Sequence, residues 1–197
     1  IVPLLDFIQP SALITDQALT HAACKVVGPE ILNTETADGQ VLLADGADGD
    51  SEILILTSVT TGQPKCAQYN WARMFAQVAG SSDSAEERWL LAYRLNHFAG
   101  VQMLVHVLSK CSTLVLPVSS KVGDAVKAMS EFKVTHVSST PTFWRYALTL
   151  LQNQRDQINL QHITLGSEAT PGDLLEKLHS LFPEARIVQI YASTEAG

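Results

Sequence analysis

The stretch LTSVTTGQPKC, residues 56 to 66, carries four hydroxyl side chains, one glycine, one proline and one lysine. Thr57, Ser58, Thr60 and Thr61 each offer a hydroxyl donor, and the amides of such a loop add more. Gly62 lets the main chain approach a ligand closely or adopt positive φ. Lys65 supplies the compact positive charge that phosphate oxygens favour. Residues 53 to 82 contain no Asp or Glu, although the chain has 20 acids against 13 Lys and Arg and a formal net charge of −7. An acid-free window in an acidic chain is what an anion site leaves behind. A polar surface turn is the competing reading of composition alone. The order of segments favours phosphate: the strand-like ILIL at 53–56, then the loop, then a helical pattern at Trp71, Met74, Phe75 and Val78.

The elements that must hold such a loop are legible downstream. Strand-like runs stand at 89–93, 113–117, 134–138, 162–165 and 186–191. Between them apolar residues recur with helical spacing, as in Val101, Leu104, Val105 and Leu108, then Val122, Ala125, Val126 and Met129, then Trp144, Ala147, Leu148 and Leu151. Thr140 and Pro141 read as a helix start. Thr170 reads as the cap of the last helix, with Pro171 first and Leu174, Leu175, Leu178, Leu181 and Phe182 as its stripe. This alternation predicts an α/β fold of mostly parallel strands with crossover helices. Ligands in such sheets bind beyond the carboxyl ends of the strands. Residues 1–50 differ, because 34–50 is rich in Gly and Asp and reads as turns around one short strand. We expect 1–50 to be a turn-rich segment of the same domain as 51–197.

Composition narrows the function classes. With 197 residues, 46% hydrophobic and 17% charged, the chain suits a globular protein with a sizeable core. Its acidity argues against a broad nucleic-acid or anionic-membrane surface. No apolar run reaches the ~18 residues of a membrane span. Cys24, Cys66 and Cys111 suggest neither a disulfide framework nor a zinc site, so a cytoplasmic setting is expected. The chain opens on Ile1 and closes on YASTEAG straight after a strand-like run, so a piece of a longer protein is expected.

TSVTTGQPKC resembles the phosphate-binding signature T-S-G-T-T-G-x-P-K-G of the acyl-adenylate-forming (AMP-binding) superfamily, missing two specified positions. That superfamily includes acyl- and aryl-CoA synthetases, peptide-synthetase adenylation domains and luciferase. Later blocks agree in order. LLAYRLNHFAG, at 90–100, resembles the block whose histidine or aromatic lies near the substrate carboxylate, which falls at His97. VTHVSSTPTFWRYAL, at 134–148, resembles the family's strand, proline turn and helix; Pro141 and Trp144 read as architectural and His136 as a satisfied core histidine. GSEA, at 166–169, resembles the G-G-E-P segment bordering adenine, with Gly166, Ser167, Glu168 and Ala169 at those positions; a plain strand-to-helix turn is the alternative. YASTE, from Tyr191, resembles Y-G-x-T-E.

The resemblance covers roughly 50–197 and implies a partial N-terminal domain of an enzyme that activates a carboxylate with ATP and Mg²⁺. The acceptor would be the thiol of CoA or of a carrier pantetheine. Thr57, Ser58, Thr60, Thr61, Gly62 and Lys65 would bind phosphate, and 166–169 with Tyr191 would border the adenine. Thr194 would meet the α-phosphate, Glu195 would ligate Mg²⁺ through a hard oxygen, and His97 would face the substrate. Val59, Cys66 and Ala192 stand where the family has glycine. If position 59 needs positive φ, β-branched Val59 is strained by about 1–3 kcal/mol. Those three losses favour an alternative, a noncatalytic binding or interaction protein on a degenerate adenylate-forming fold. An unrelated α/β protein with a chance loop leaves the later blocks unexplained.

Overall fold

The computed structural model describes residues 12–14, 25–27, 52–57, 65–78, 84–151 and 157–191. The chain divides into two compact units, residues 1–46 and 47–197. In the first, β1 (Ala12–Ile14) and β2 (Lys25–Val27) pair in parallel, Ala12 opposite Lys25 and Ile14 opposite Val27. The turn-rich stretch expected at 34–50 lies outside the described residues.

The second unit opens with an antiparallel hairpin of β3 (Glu52–Thr57) and β4 (Lys65–Asn70), in which Thr57 pairs with Lys65 and Glu52 with Asn70. This corrects the expected strand, loop and helix, since a second strand precedes the helix. The signal for β4 is a period of two: Ala67 and Tyr69 are half-buried while Cys66 and Gln68 are exposed. Asn70 then starts α1 (Trp71–Val78), its Oδ1 accepting from the Arg73 amide at 3.0 Å.

Five parallel strands follow, β5 (Arg88–Leu91), β6 (Thr113–Val115), β7 (His136–Ser139), β8 (His162–Leu165) and β9 (Arg186–Gln189), in the spatial order β6-β5-β7-β8-β9. Each connection carries one helix: α2 (Phe98–Ser109), α3 (Val122–Glu131), α4 (Pro141–Leu151) and α5 (Gly172–Leu181). Every expected strand of this sheet is present. Most stop short at the carboxyl end, where the chain leaves the ladder to form loops. The path goes from β5 outward to β6, returns past β5 to β7, and continues to β9. The direction therefore reverses between β5 and β7, the place where open α/β sheets form a binding crevice.

The strands are buried on alternate residues to two different partners. Leu90, Val115, Val137, Ile163 and Leu165 pack against Val126, Met129, Trp144, Ala147, Leu151, Leu174 and Leu178 of α3, α4 and α5. On the other face Trp89 packs with Met103 and Val107 of α2. The hairpin and α1 cover the opposite side of α2, where Ile55 and Met74 meet Phe98, Val101 and Val105. Thus α2 is buried on two sides. The expected stripe of Val101, Leu104, Val105 and Leu108 holds only in part, because Leu104 is half-buried and Leu108 is 59% exposed. A helix between two layers does not show the single stripe of a surface helix.

Helix starts follow the sequence at α4 but not at α5. Thr140 Oγ1 accepts from the Phe143 amide at 3.1 Å, with Pro141 as the first helical residue. At α5 the cap is Pro171, one residue later than expected, and the buried Thr170 hydroxyl has no hydrogen-bond partner among the described residues.

Candidate functional site

The carboxyl edge of the sheet gathers most of the candidate residues that the structure describes. Beyond β5, the half-buried Tyr93 brings its hydroxyl to the Gly166 turn beyond β8. Burial pushes the Tyr93 phenol above its ordinary value against the opposing pull of the Ser138 and Ser167 hydroxyls, and the Glu168 charge raises it further. Gly166 sits below: a Cβ there would stand 3.4 Å from the Tyr93 hydroxyl and 3.7 Å from the Ile190 carbonyl oxygen. The Ile190 amide donates to the Leu165 carbonyl at 2.7 Å, so Gly166 and Tyr191 leave the sheet from paired strands. Tyr191 is fully exposed.

Ser167 has φ of 67°, in the left-handed region that glycine enters freely and other residues enter at a cost. The position corresponds to the second glycine of the G-G-E-P pattern. This is a further departure from that pattern, and one that sequence comparison alone does not reveal as conformational. Cys66 is the converse. It pairs with Leu56 in an extended antiparallel ladder and is absent from the positive-φ residues, so an L-residue fits there without backbone strain.

Glu168 is engaged by the fold. Its Oε2 accepts from the Thr142 amide at 3.1 Å and from the Thr142 hydroxyl at 2.6 Å. A carboxylate on the first turn of α4 satisfies an amide that the helix leaves unpaired and complements the helix dipole. The sequence allows Glu168 a helix-terminus role, and the helix it serves is the preceding one.

His97 occupies the cap position of α2 with φ −111° and ψ 151°, and its side chain makes no capping hydrogen bond. Its imidazole is exposed. The turn beneath it is fixed by backbone, the His97 amide donating to the Arg94 carbonyl at 3.1 Å. Gly100 makes this turn possible, because a Cβ at 100 would lie 2.2 Å from the Arg94 carbonyl oxygen. Further along α2, Val101 is buried in the hairpin cluster and Leu108 is exposed. Tyr69 of β4 stacks on Phe98 with ring centroids 4.7 Å apart, so the strand that begins at Lys65 packs on the start of this helix.

Of the remaining candidates, Ser58, Thr60, Thr61 and Gly62 lie outside the described residues, as do Thr194 and Glu195. The backbones of Thr57 and Lys65 face each other at the base of the loop. Ala169 is exposed beyond Glu168. Among the described residues no group of three or more His, Cys, Asp or Glu is arranged to hold a metal ion. A cavity of ≈ 440 Å³ lies along the edge strand β6, lined by Arg88, β6 and Phe132, and none of the candidate residues borders it.

The opposite edge holds a cluster that the sequence does not announce. Trp89, His136, His162 and Arg186 are successive partners in one row across β5, β7, β8 and β9. His136 and His162 stack at 5.7 Å, and the Trp89 ring lies 4.7 Å from His136 and 4.9 Å from His106 of α2. The Trp89 indole donates to Glu87 at 2.8 Å, and His136 Nε2 stands 3.7 Å from the same carboxylate. His136 also meets the Thr135 hydroxyl at 2.7 Å, which makes it the satisfied core histidine that the sequence suggests. Burial lowers all three histidines below their ordinary value. Glu87 opposes this at each; Lys110 adds to it at His106, Arg186 at His162, and neighbouring histidines at His136 and His162. At Glu87 burial pushes upward, but the indole bond, His136, Ser84 and His106 together leave the carboxyl below its ordinary range.

Comparison with known proteins agrees with this geometry. The chain is 29% identical over 147 residues to the 2-succinylbenzoate–CoA ligase of Bacillus subtilis (strain 168), covering 72% of this chain and 29% of that protein. It is 28% identical over 210 aligned residues to the D-alanine–D-alanyl carrier protein ligase of Streptococcus equi subsp. equi (strain 4047), covering 100% of this chain and 41% of that protein. Among solved structures, the O-succinylbenzoate coenzyme A synthetase of Bacillus subtilis in complex with AMP superimposes with a TM-score of 0.75 at 22% identity, over 98% of this chain and 41% of that one. VinN with L-aspartate gives 0.76 at 18% identity, over 98% of this chain and 53% of that one. These likenesses show the fold, that of the N-terminal domains of adenylate-forming enzymes. The chain thus spans under a third of the first relative and about half or less of the others. The family model for AMP-binding enzymes matches residues 8–197, and the chain belongs to that family.

Proposed function

We propose that the chain is part of the large N-terminal domain of an enzyme that activates a small carboxylic acid with ATP. In this reading the acid's oxygen attacks the α-phosphorus, pyrophosphate leaves, and the acyl group of the mixed anhydride passes to the thiol of CoA or of a carrier pantetheine. The observation that carries the reading is the family match over 8–197 together with the place where the candidate residues gather. Tyr93 stands at the carboxyl end where strand order reverses, with Gly166, Ser167 and Glu168 beyond the neighbouring β8 and Tyr191 beyond the edge strand β9. That is where such sheets bind nucleotides.

ATP suits the residues present. Gly166 leaves a notch under Tyr93 that a side chain would fill. Exposed Tyr191 would offer its ring to the adenine, and 166–169 would border it. The hairpin holds Thr57 opposite Lys65, so the hydroxyl-rich loop between them would present amides, hydroxyls and one ammonium to phosphate oxygens. Bound Mg²⁺, with Glu195 as its ligand, would neutralise charge on those oxygens. Thr194 would donate to the α-phosphate. His97, exposed and uncapped, would meet the substrate carboxylate. The 197-residue chain alone would turn over weakly or not at all.

ATP–pyrophosphate exchange by the intact protein, across a panel of carboxylic acids, tests this reading. Acid-dependent exchange with one chemical class supports it. No exchange with any acid, joined to no ATP binding by calorimetry, supports the noncatalytic alternative. Val59 and Ala192 in place of glycine are what favour that alternative; Cys66, set in an extended ladder, no longer does.

A further inference from the structure

The turn beyond β8 is held on both sides of its strained residue. Before it, the Gly166 amide donates to the Ser139 carbonyl of β7 at 3.1 Å. After it, Glu168 Oε2 accepts from the Thr142 amide at 3.1 Å and from the Thr142 hydroxyl at 2.6 Å. Ser167 stands between the two anchors with φ of 67° and no glycine to ease it. Such a backbone persists where its surroundings determine it. The start of α4 explains the second anchor. Pro141, the first helical residue, has no amide to satisfy. The Phe143 amide goes to Thr140 Oγ1, and the Trp144 amide to the Thr140 carbonyl at 3.3 Å. The Thr142 amide remains, and Glu168 takes it while its charge faces the positive end of the helix.

We propose that Thr142 is a positioning residue: by latching Glu168 onto the start of α4 it holds Ser167 left-handed, and so sets the backbone of residues 166–169 against the nucleotide. The inference rests on the nucleotide reading of this edge. It gives Thr142 no contact with the ligand, and it turns the Glu168 carboxylate to the protein instead of to the nucleotide. When the latch is cut, the binding-competent turn is less populated and apparent affinity falls by that fraction. Handling of the acid stays intact.

The test uses the intact protein, with AMP affinity measured by calorimetry and exchange kinetics beside it. Thr142→Val removes the hydroxyl at nearly constant volume and is expected to weaken AMP binding and raise the KM for ATP about threefold. Its KM for the acid and its kcat stay within about twofold of wild type. Thr142→Ser, which keeps both donors, binds AMP within about twofold of wild type. Glu168→Ala removes both bonds and costs about tenfold in AMP affinity, and adding Thr142→Val to it costs nothing more, because the acceptor is already gone. In a Ser167→Gly background the cost of Glu168→Ala shrinks to about twofold, since glycine takes positive φ without help. Thr142→Val also covers the case in which Glu168→Ala folds poorly. Wild-type affinity in Thr142→Val, a Thr142→Val loss undiminished on top of Glu168→Ala, or a Glu168→Ala cost undiminished by Ser167→Gly overturns the inference while wild-type protein still binds AMP. Wild-type protein that binds no AMP overturns the nucleotide reading, and this inference falls with it.

Discussion

Replacing Gly100 by alanine separates two accounts of the same residue. By helix propensity alone the change gains about 1 kcal/mol, because Gly100 lies within α2 and alanine is the better helix former. The structure gives the opposite sign. The new Cβ would sit 2.2 Å from the Arg94 carbonyl oxygen, 2.7 Å from its carbon and 3.1 Å from Leu95 Cα, and the first two distances are ones real Cβ atoms essentially never show. The obstacle is backbone, so no side-chain rotation relieves it. Overpacking of this kind costs about 1–3 kcal/mol, and a fixed backbone puts it at the upper end; subtracting the propensity gain leaves a loss of about 2 kcal/mol. The Arg94–His97 turn must move, and the amide of His97 donates into it at 3.1 Å. Urea unfolding of the intact protein, followed by circular dichroism, reads the stability term. The KM for the carboxylic acid reads the displacement of His97, and the KM for ATP serves as the internal control. A Gly100→Ala protein as stable as wild type, or more stable, would show that Arg94 does not press on this helix.

Further outcomes follow from residues on either edge. Because the three clustered histidines, His106, His136 and His162, have folded values below 6.5, the unfolded chain binds more protons as pH falls, so their contribution is complete above pH 6.5 and lost as pH drops through the lowered values. Glu87, also lowered, loses its contribution below its ordinary 4.5, in the same direction. Denaturation midpoints should therefore decline steadily from pH 7 to pH 4, with a shallower slope above pH 5 in His162→Gln; a flat profile would count against the cluster. Trp144 is fully buried between Phe143 and Phe182, and its indole nitrogen has no partner among the described residues. Trp144→Ala should cost about 3–5 kcal/mol and Trp144→Phe much less, because removing an unpaired buried donor offsets lost volume. Thr140→Ala removes the cap on the Phe143 amide and should cost about 1 kcal/mol in the same unfolding assay.

The parallel sheet was legible because its strands and helices repeat simple periods. β8 was placed at 162–165 to the residue, and α4 from Thr140 and Pro141. The hairpin was not, since β4 is polar on its outer face and follows a loop rich in turn formers. Its alternation of Ala67 and Tyr69 is too brief to stand out. The two-sided burial of α2 was hidden for a different reason. Periodicity shows that a helix has an apolar face, but a second face appears only once a second layer covers it. The histidine row is hidden more deeply still. Trp89, His136, His162 and Arg186 are far apart in sequence and become neighbours only through strand order and register. Motif reading found Gly166, Ser167 and Glu168 at the carboxyl edge but gave no role to Tyr93, which lies in the block read for His97 and comes near Gly166 only through the order of the strands.

The glycines missing from the family pattern are not equivalent losses, and this bears on whether the protein is a catalyst. Cys66 lies in a regular ladder, so glycine was never required there. Ser167 lies in the left-handed region that glycine enters freely and serine enters at a cost, so that loss is a conformational one. Whether the protein is a catalyst then turns on whether the phosphate loop still works with Val59 in it. An intact protein that binds AMP through the 166–169 edge yet fails to exchange pyrophosphate would locate the loss in that loop, and a Val59→Gly variant that regains exchange would identify the residue responsible.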